Sequence, residues 1–351
     1  MMNRCDTCLM LDTRPDTAFF GRKCSACIAY ENRPKIDWEA KRDELLAILD
    51  RPKTSEYDCI VPSSGGKDSS WQVLTLLELG ANPLVVTAST CHLTPIGRRN
   101  IDNLARYADT IEVTPNREVR AKLNRLSLEM VGDPSWPEHV LINAVPFRVA
   151  IDMGIPLVFY GENPLTQYGS PTKERQDEQC MTRRWIAEFG GQLGLRPADF
   201  IGVEGITGKD MRPYAPLMTE KDLAGVDAYF LGQFLPWDSR RNATVAIDHG
   251  FKAMLPSSAN WWTAENLDNA QTGLHDHFGY LKYGYGRACA QLSVDIRAGV
   301  ITRKAGLSEL KHRDGVFPEE YAGVPIGDVL ERIGMSRGRL DELMVEYTRC
   351  P

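Results

Sequence analysis

Ile60-Val61-Pro62-Ser63-Ser64-Gly65-Gly66-Lys67-Asp68-Ser69-Ser70-Trp71 is the stretch from which the fold follows. It begins in an apolar run over residues 57–62 that reads as a strand. It ends in a helix expected over 67–79, with Trp71, Leu74 and Leu77 on one side and Gly80 as the stop. Between the two, a pair of glycines lets the backbone approach an anion closely, and the first amides of the helix supply donors and positive potential. Ser64, Ser69 and Ser70 add hydroxyl donors, and Lys67 adds charge. Asp68 is out of place in a pure anion cradle and makes sense as a ligand of Mg2+ bridging phosphates. The string is neither GxxxxGK[ST] nor GxGxxG. A bare Gly-Gly would be explained as a capped turn, but the full Ser-Gly-Gly-x-Asp-Ser string at the first strand–helix junction favours a phosphate loop.

Working outward, short apolar runs alternate with amphipathic stretches. Strands are expected at 84–88, 110–113 and 155–160, and helices at 97–108, 116–131 and 138–152. This alternation predicts a parallel sheet covered on both faces, with ligands at the carboxyl ends of its strands. Upstream, residues 36–50 place Trp38, Leu45, Leu46 and Leu49 at helical spacing behind Asp37, a helix cap, and residues 51–55 read as a linker. Beyond about residue 205 the chain is rich in Trp, Tyr, Gly and Arg, with helices expected near 219–231, 286–298 and 326–347. The organisation expected is therefore a cysteine-bearing segment (1–30), a linker helix (31–55), the loop-bearing α/β domain (56–205) and a mostly helical substrate or partner region (206–351).

The first segment carries Cys5-x2-Cys8-x15-Cys24-x2-Cys27, four of the nine cysteines. Two such knuckles match a closed four-cysteine zinc site, in which the metal replaces the core that so short a segment lacks. No run of about 18 uncharged apolar residues is present, and the start lacks the apolar region of a signal peptide. The expected setting is cytoplasmic, where structural disulfides are rare. A formal net charge of −6 argues against a protein whose main task is to hold a phosphate backbone.

Residues 64–69 resemble the PP-loop of the N-type ATP pyrophosphatases, with their adenine nucleotide alpha hydrolase-like fold, which cleave ATP between the α and β phosphates. Further segments extend the likeness through nearly the whole chain: the paired cysteines, Ile36-Asp37-Trp38, Gly97-Arg98-Arg99-Asn100, Val131-Gly132-Asp133-Pro134, Gly161-Glu162-Asn163-Pro164, Pro236-Trp237-Asp238, Lys282-Tyr283-Gly284-Tyr285-Gly286-Arg287 and Asp295-Ile296-Arg297. Together they resemble the N-acetyl sugar amidotransferases of bacterial surface-polysaccharide and flagellin-glycan synthesis. That resemblance implies ATP-dependent conversion of a sugar's acetamido group into an acetamidino group, through an adenylylated imidate that ammonia attacks. It implies a sugar or nucleotide-sugar substrate and ATP with Mg2+. It also implies ammonia from a separate glutaminase and synthase-like pair, since the chain shows no glutaminase of its own. Gly161, Glu162 and Asn163 would then lie beside the nucleotide and the reacting centre. Lys282 and Arg287 would bring positive charge to pyrophosphate or to a sugar diphosphate.

The chain departs from that pattern where Ser135-Trp136-Pro137-Glu138-His139 replaces Cys-Trp-Pro-Cys-His, at Ser170, and where Cys289-Ala290 replaces Thr-Asp. These changes bear on the substrate more than on ATP. His275-Asp276-His277 reads as a hydrogen-bonding cluster rather than a metal site. Trp237, Trp261 and Trp262 read mainly as packing residues, and Cys91-His92 as a buried pair rather than a nucleophile. Two other readings remain. A PP-loop tRNA thiolase would need further paired cysteines and a basic face, and a zinc-ribbon adaptor would bind nucleotide without catalysis.

Overall fold

The computed structural model describes residues 2–13, 18–52, 55–161, 186, 190–215, 225–256 and 259–349. Its centre is a five-stranded parallel sheet made of β3 (Cys59–Pro62), β4 (Pro83–Ala88), β5 (Thr110–Val113), β6 (Leu157–Tyr160) and β7 (Asp227–Phe230), in the order β5-β4-β3-β6-β7. Two residue pairs upstream, β1 (Phe19–Phe20) and β2 (Lys23–Cys24), form a separate small hairpin.

Alternation along the strands sorts side chains to two cores. Ile60, Leu84, Val86, Val158 and Phe230 face α5 (Arg117–Val131) and α6 (Trp136–Asp152). Cys59, Val61, Val85, Leu157 and Phe159 face the opposite side, with Leu45 and Ile48 of α2 (Trp38–Leu49) and Trp71, Val73 and Leu76 of α3 (Lys67–Glu78). Each fully buried side chain of this kind contributes about 1.5–3 kcal/mol, so the double cover fixes the sheet. The helix expected as a linker is thus part of that cover, and Asp37 caps it by accepting from Ala40 N at 3.1 Å.

The strand order reverses between β3 and β6, the first strand having neighbours on both sides. Ligands bind at such a switch point, beyond the carboxyl ends of the strands. The Ser-Gly-Gly loop leaves β3 there.

Of the helix expected over 219–231, residues 219–224 lie outside the described residues, and the expectation is corrected for 227–230, which are strand: Ala228 and Phe230 enter one core, Tyr229 packs against the other, and Leu157 to Tyr160 pair with Asp227 to Phe230. The sheet therefore draws on residues beyond 205. The expected helix over 326–347 is two, Ile326–Ile333 and Arg337–Tyr347, because Gly334 takes φ +69 and Ser336 starts the second by accepting from Arg339 N. Among the described residues the remaining α-helices are α1 (Ser25–Glu31), α4 (Pro95–Leu104), α7 (Ser239–Asp248), α8 (Thr272–Tyr283), α9 (Arg287–Arg297), α10 (Arg303–Leu310) and the pair just named, α11 and α12. Leu274 and Phe278 of α8 pack with α11, α12 and the Leu128 face of α5. Among the described residues no helix is long and apolar enough to cross a membrane.

Candidate active site and metal centre

Gly66 is the N-cap of α3, with no side chain capping it, so the first amides of the helix are left to face the loop. Gly65 takes φ +79, and its backbone lies so close to α4 that a Cβ would stand 2.8 Å from Ile101 N. Ser63, which sequence reasoning did not single out, organises the turn. Its hydroxyl accepts from Gly65 N at 2.9 Å and meets Ser69 Oγ at 2.8 Å. Ser69 and Ser70 donate to Gly66 O at 3.0 and 2.9 Å. In this structure these two hydroxyls brace the turn, and Ser69 also lines the cavity.

The loop opens onto a cavity of about 350 Å³ lined by Ser64, Gly65, Gly66, Lys67, Asp68 and Ser69 on one side. The opposite wall comes from far along the chain and includes Phe251 and residues 264–268. Helix α4 and its cap fix that wall. Thr94, the N-cap of α4, donates through its hydroxyl to Leu267 O, and Asn100 exchanges hydrogen bonds with the Lys252 backbone at 2.8 and 3.1 Å. Gly97 allows the approach, since a Cβ there would stand 2.6 Å from Asp268 Cα.

Lys67 is 4% exposed and bridges Asp68 Oδ2 at 2.6 Å and Glu265 Oε2 at 2.7 Å. Burial opposes its charge, but Glu265 and Asp68 outweigh it and raise the ammonium pKa. Burial raises the Asp68 carboxyl, against the pull of Lys67. Its Oδ1 accepts from Asn242 of α7 at 3.0 Å. Burial also pushes the Asp268 carboxyl up to about 6, opposed by a hydrogen bond from Ser64. Asp68 and Glu265 offer the hard oxygen donors that Mg2+ takes. Lys67→Met is expected to leave both carboxylates without their cation. It should lower stability by about 2 kcal/mol, less than for a fully buried pair because both anions keep some solvent contact; urea unfolding measures it.

Other expected site residues lie elsewhere. Ser70 is buried behind the loop. Gly161 is packed against Trp237 and Gln72, where a Cβ would stand 2.9 Å from the indole; it is a packing glycine and not part of the cavity lining. Glu162 and Asn163 lie outside the described residues, as does Ser170. Lys282 and Arg287 do not line the loop cavity either. Lys282 donates to Val131 O at 3.1 Å, and Arg287 grips Asp276 with two nitrogens at 2.8 and 3.1 Å.

At the Cys-to-Glu departure, Glu138 accepts from Cys91 N at 3.1 Å and from Asn124 at 2.6 Å, and burial pushes it up to about 7. The folded state therefore holds this proton more tightly than the unfolded chain. Stability should fall by about 3 kcal/mol as pH rises from about 4.5 through 7. Glu138→Gln should remove this part of the slope in urea titrations at several pH values, while Asp268 and Asp314, each pushed up to about 6 by burial, keep comparable parts of their own. Cys91 is buried with its thiol pushed up to about 11, as expected of a packing residue.

The four N-terminal cysteines meet with all their Sγ atoms within 4.8 Å of one another, Cys5 to Cys27 at 3.8 Å and Cys8 to Cys24 at 3.6 Å. A tetrahedron of Zn–S bonds of about 2.3 Å has edges of about 3.8 Å, so the sulfurs fit a zinc ion and are too far apart for disulfides. Arg303 of α10 donates to Cys5 O and Cys8 O at 3.0 and 3.1 Å, and Leu9 packs with Ala288, Cys289 and Leu292 of α9. The four-cysteine cluster is thus docked on the C-terminal helices.

No curated protein matches the sequence. A solved structure, NMN synthetase from Francisella tularensis, is similar at 12% identity with a TM-score of 0.29, covering 64% of this chain and all of that one. Residues 256–350 match the family model described as "LPS biosynthesis protein WbpG-like, C-terminal domain", a stretch that includes Glu265 and Asp268 of the cavity wall together with α8 to α12.

Proposed function

We propose that this chain is an ATP-dependent PP-loop enzyme of lipopolysaccharide biosynthesis that converts the acetamido group of a sugar into an acetamidino group. The observation that carries the proposal is the Ser-Gly-Gly loop at the sheet's switch point, opening onto a cavity closed by Glu265 and Asp268. The match over 256–350 to an LPS biosynthesis family supports the substrate class.

In the first step the amide oxygen attacks the α phosphorus of ATP and pyrophosphate leaves. In the second, ammonia displaces AMP from the imidate carbon. An amide oxygen is a poor leaving group and AMP a good one, which is why ATP is spent. The chain's part is to hold pyrophosphate at the α3 amides and Ser64, to offer Asp68 to Mg2+, and to keep water out; position and electrostatics carry most of the rate. Ammonia comes from a separate partner.

Incubation with ATP, ammonium and UDP- or CMP-linked acetamido sugars tests this. AMP and pyrophosphate should form only with an acceptor, and mass spectrometry should show an oxygen replaced by NH. No acceptor-dependent AMP, with Asp68→Asn matching wild type, defeats the reading.

A further inference from the structure

His275 and Asp133 are 142 residues apart in sequence and meet with Nδ1 2.9 Å from Oδ1. The same carboxylate oxygen accepts from Ser135 N at 2.8 Å, at the start of α6. Asp133 is buried, whereas the imidazole keeps 28% of its surface exposed. An orienting carboxylate thus lies beneath a histidine that solvent still reaches. The ring of His139, one partner of which is Gly191 O at 3.2 Å, stands edge-on to His275 at 5.5 Å. Among the described residues, Asp276 of the same helix, Arg287 of α9 and Lys282 are the other ionisable groups around it.

Ile142 lies one turn beyond His139 on α6 and lines the loop cavity, a rise of about 5 Å along the helix axis. A tie between α8 and the α5–α6 turn needs no group that titrates between pH 5 and 8, and histidine is the side chain that does.

Resting on the amidination reading, we propose that His275, oriented by Asp133, is the acid–base residue of the second half-reaction. As ammonia's nitrogen bonds to the imidate carbon, His275 Nε2 takes the proton that this nitrogen sheds. The carbon–oxygen bond then breaks, its electron pair leaves with AMP, and His275 passes the proton to solvent. The electrostatics suit the task. Burial opposes the charged form of His275, but Asp133 outweighs it and raises the imidazole above its ordinary value. Burial holds His139 below its own, so the two rings are set apart.

The test measures pyrophosphate release and amidine formation separately. His275→Gln should keep acceptor-dependent pyrophosphate release within a few-fold while amidine formation falls about 10²–10⁴-fold. In wild type, amidine formation should decline as pH falls through the His275 pKa, and Asp133→Asn should move that decline to lower pH. Unchanged amidine formation in His275→Gln, or a parallel loss of both readouts, overturns the assignment. So does a wild-type amidine profile with no limb in the histidine range, a result that needs no variant to fold. Absence of acceptor-dependent pyrophosphate release in wild type instead overturns the amidination reading and the assignment with it.

Discussion

Gly65→Ala is expected to lower stability by about 2–4 kcal/mol and ATP-dependent turnover by at least a hundredfold, whereas Gly66→Ala should leave stability nearly unchanged and lose turnover alone. The two neighbours differ in what a methyl group would meet. At Gly65 the backbone is at φ +79, and the added carbon would stand 2.8 Å from both Ile101 N and Ile101 Cγ1. Relief requires α4 to move, and α4 also pins the 264–268 wall, so the cost combines left-handed strain with overpacking. A shift of about 1 Å in that frame is worth a factor of 10² in rate. At Gly66 the backbone is extended, and the nearest atom, Ser64 Oγ, is 3.7 Å away, an ordinary contact. The methyl group there would stand at the cap of α3, among the amides that would face pyrophosphate. Loss of such donors costs about 10²–10³ in rate. Urea unfolding beside an assay of pyrophosphate release separates the two. Equal stability losses would remove the steric distinction, and full activity in Gly66→Ala would remove the cradle.

Removal of zinc is expected to be the larger structural event. Leu9, Ala288, Cys289, Leu292 and Leu310 pack around the four sulfurs, so this small core has a candidate metal site at its centre. Structural zinc contributes about 10–16 kcal/mol of apparent binding energy in small metal-folded units. A strong chelator, or Cys24→Ser, should therefore melt residues 2–31 and release α9 and α10 from them. Hydrogen exchange should show protection lost in Arg287–Arg297 and Arg303–Leu310 while β3 and β4 stay protected. One equivalent of zinc should be found by metal analysis of the native protein. A native chain without zinc, or exchange in α9 unaffected by chelation, contradicts this.

The sequence made the sheet legible because its strands are short apolar runs set between helices with caps and glycine stops. Residues 110–113 were read with the boundaries the structure has, and 67–79 with one residue to spare. The last strand was missed because Asp227-Ala228-Tyr229-Phe230 is too short for a period to show; its identity comes from pairing with β6. The loop was legible for a related reason. Its function rests on contiguous backbone, so the glycines and serines announce it. Its far wall was not, because Glu265 and Asp268 carry no local pattern and owe their role to Lys67, Ser64 and α4. The Asp133–His275 pair is the same kind of case: both residues stand in quoted motifs, and only the packing of α8 against the α5–α6 turn joins them. Gly161 stands in a suggestive motif, and what the structure shows of it is a small size that admits an indole.

The bridge between Lys67 and Glu265 also sets an order in time. The two residues are 198 positions apart, and a ribosome adds about 5–20 residues each second. For about 10–40 s of synthesis the loop therefore exists without its opposite wall. Until Asn242 emerges to donate to Asp68, Lys67 and Asp68 have only each other and solvent, and until Glu265 follows the nascent sheet has no closed pocket with which to hold a nucleotide. A nucleotide in this pocket would favour the folded state only once residues 264–268, about three-quarters of the way along the chain, have emerged.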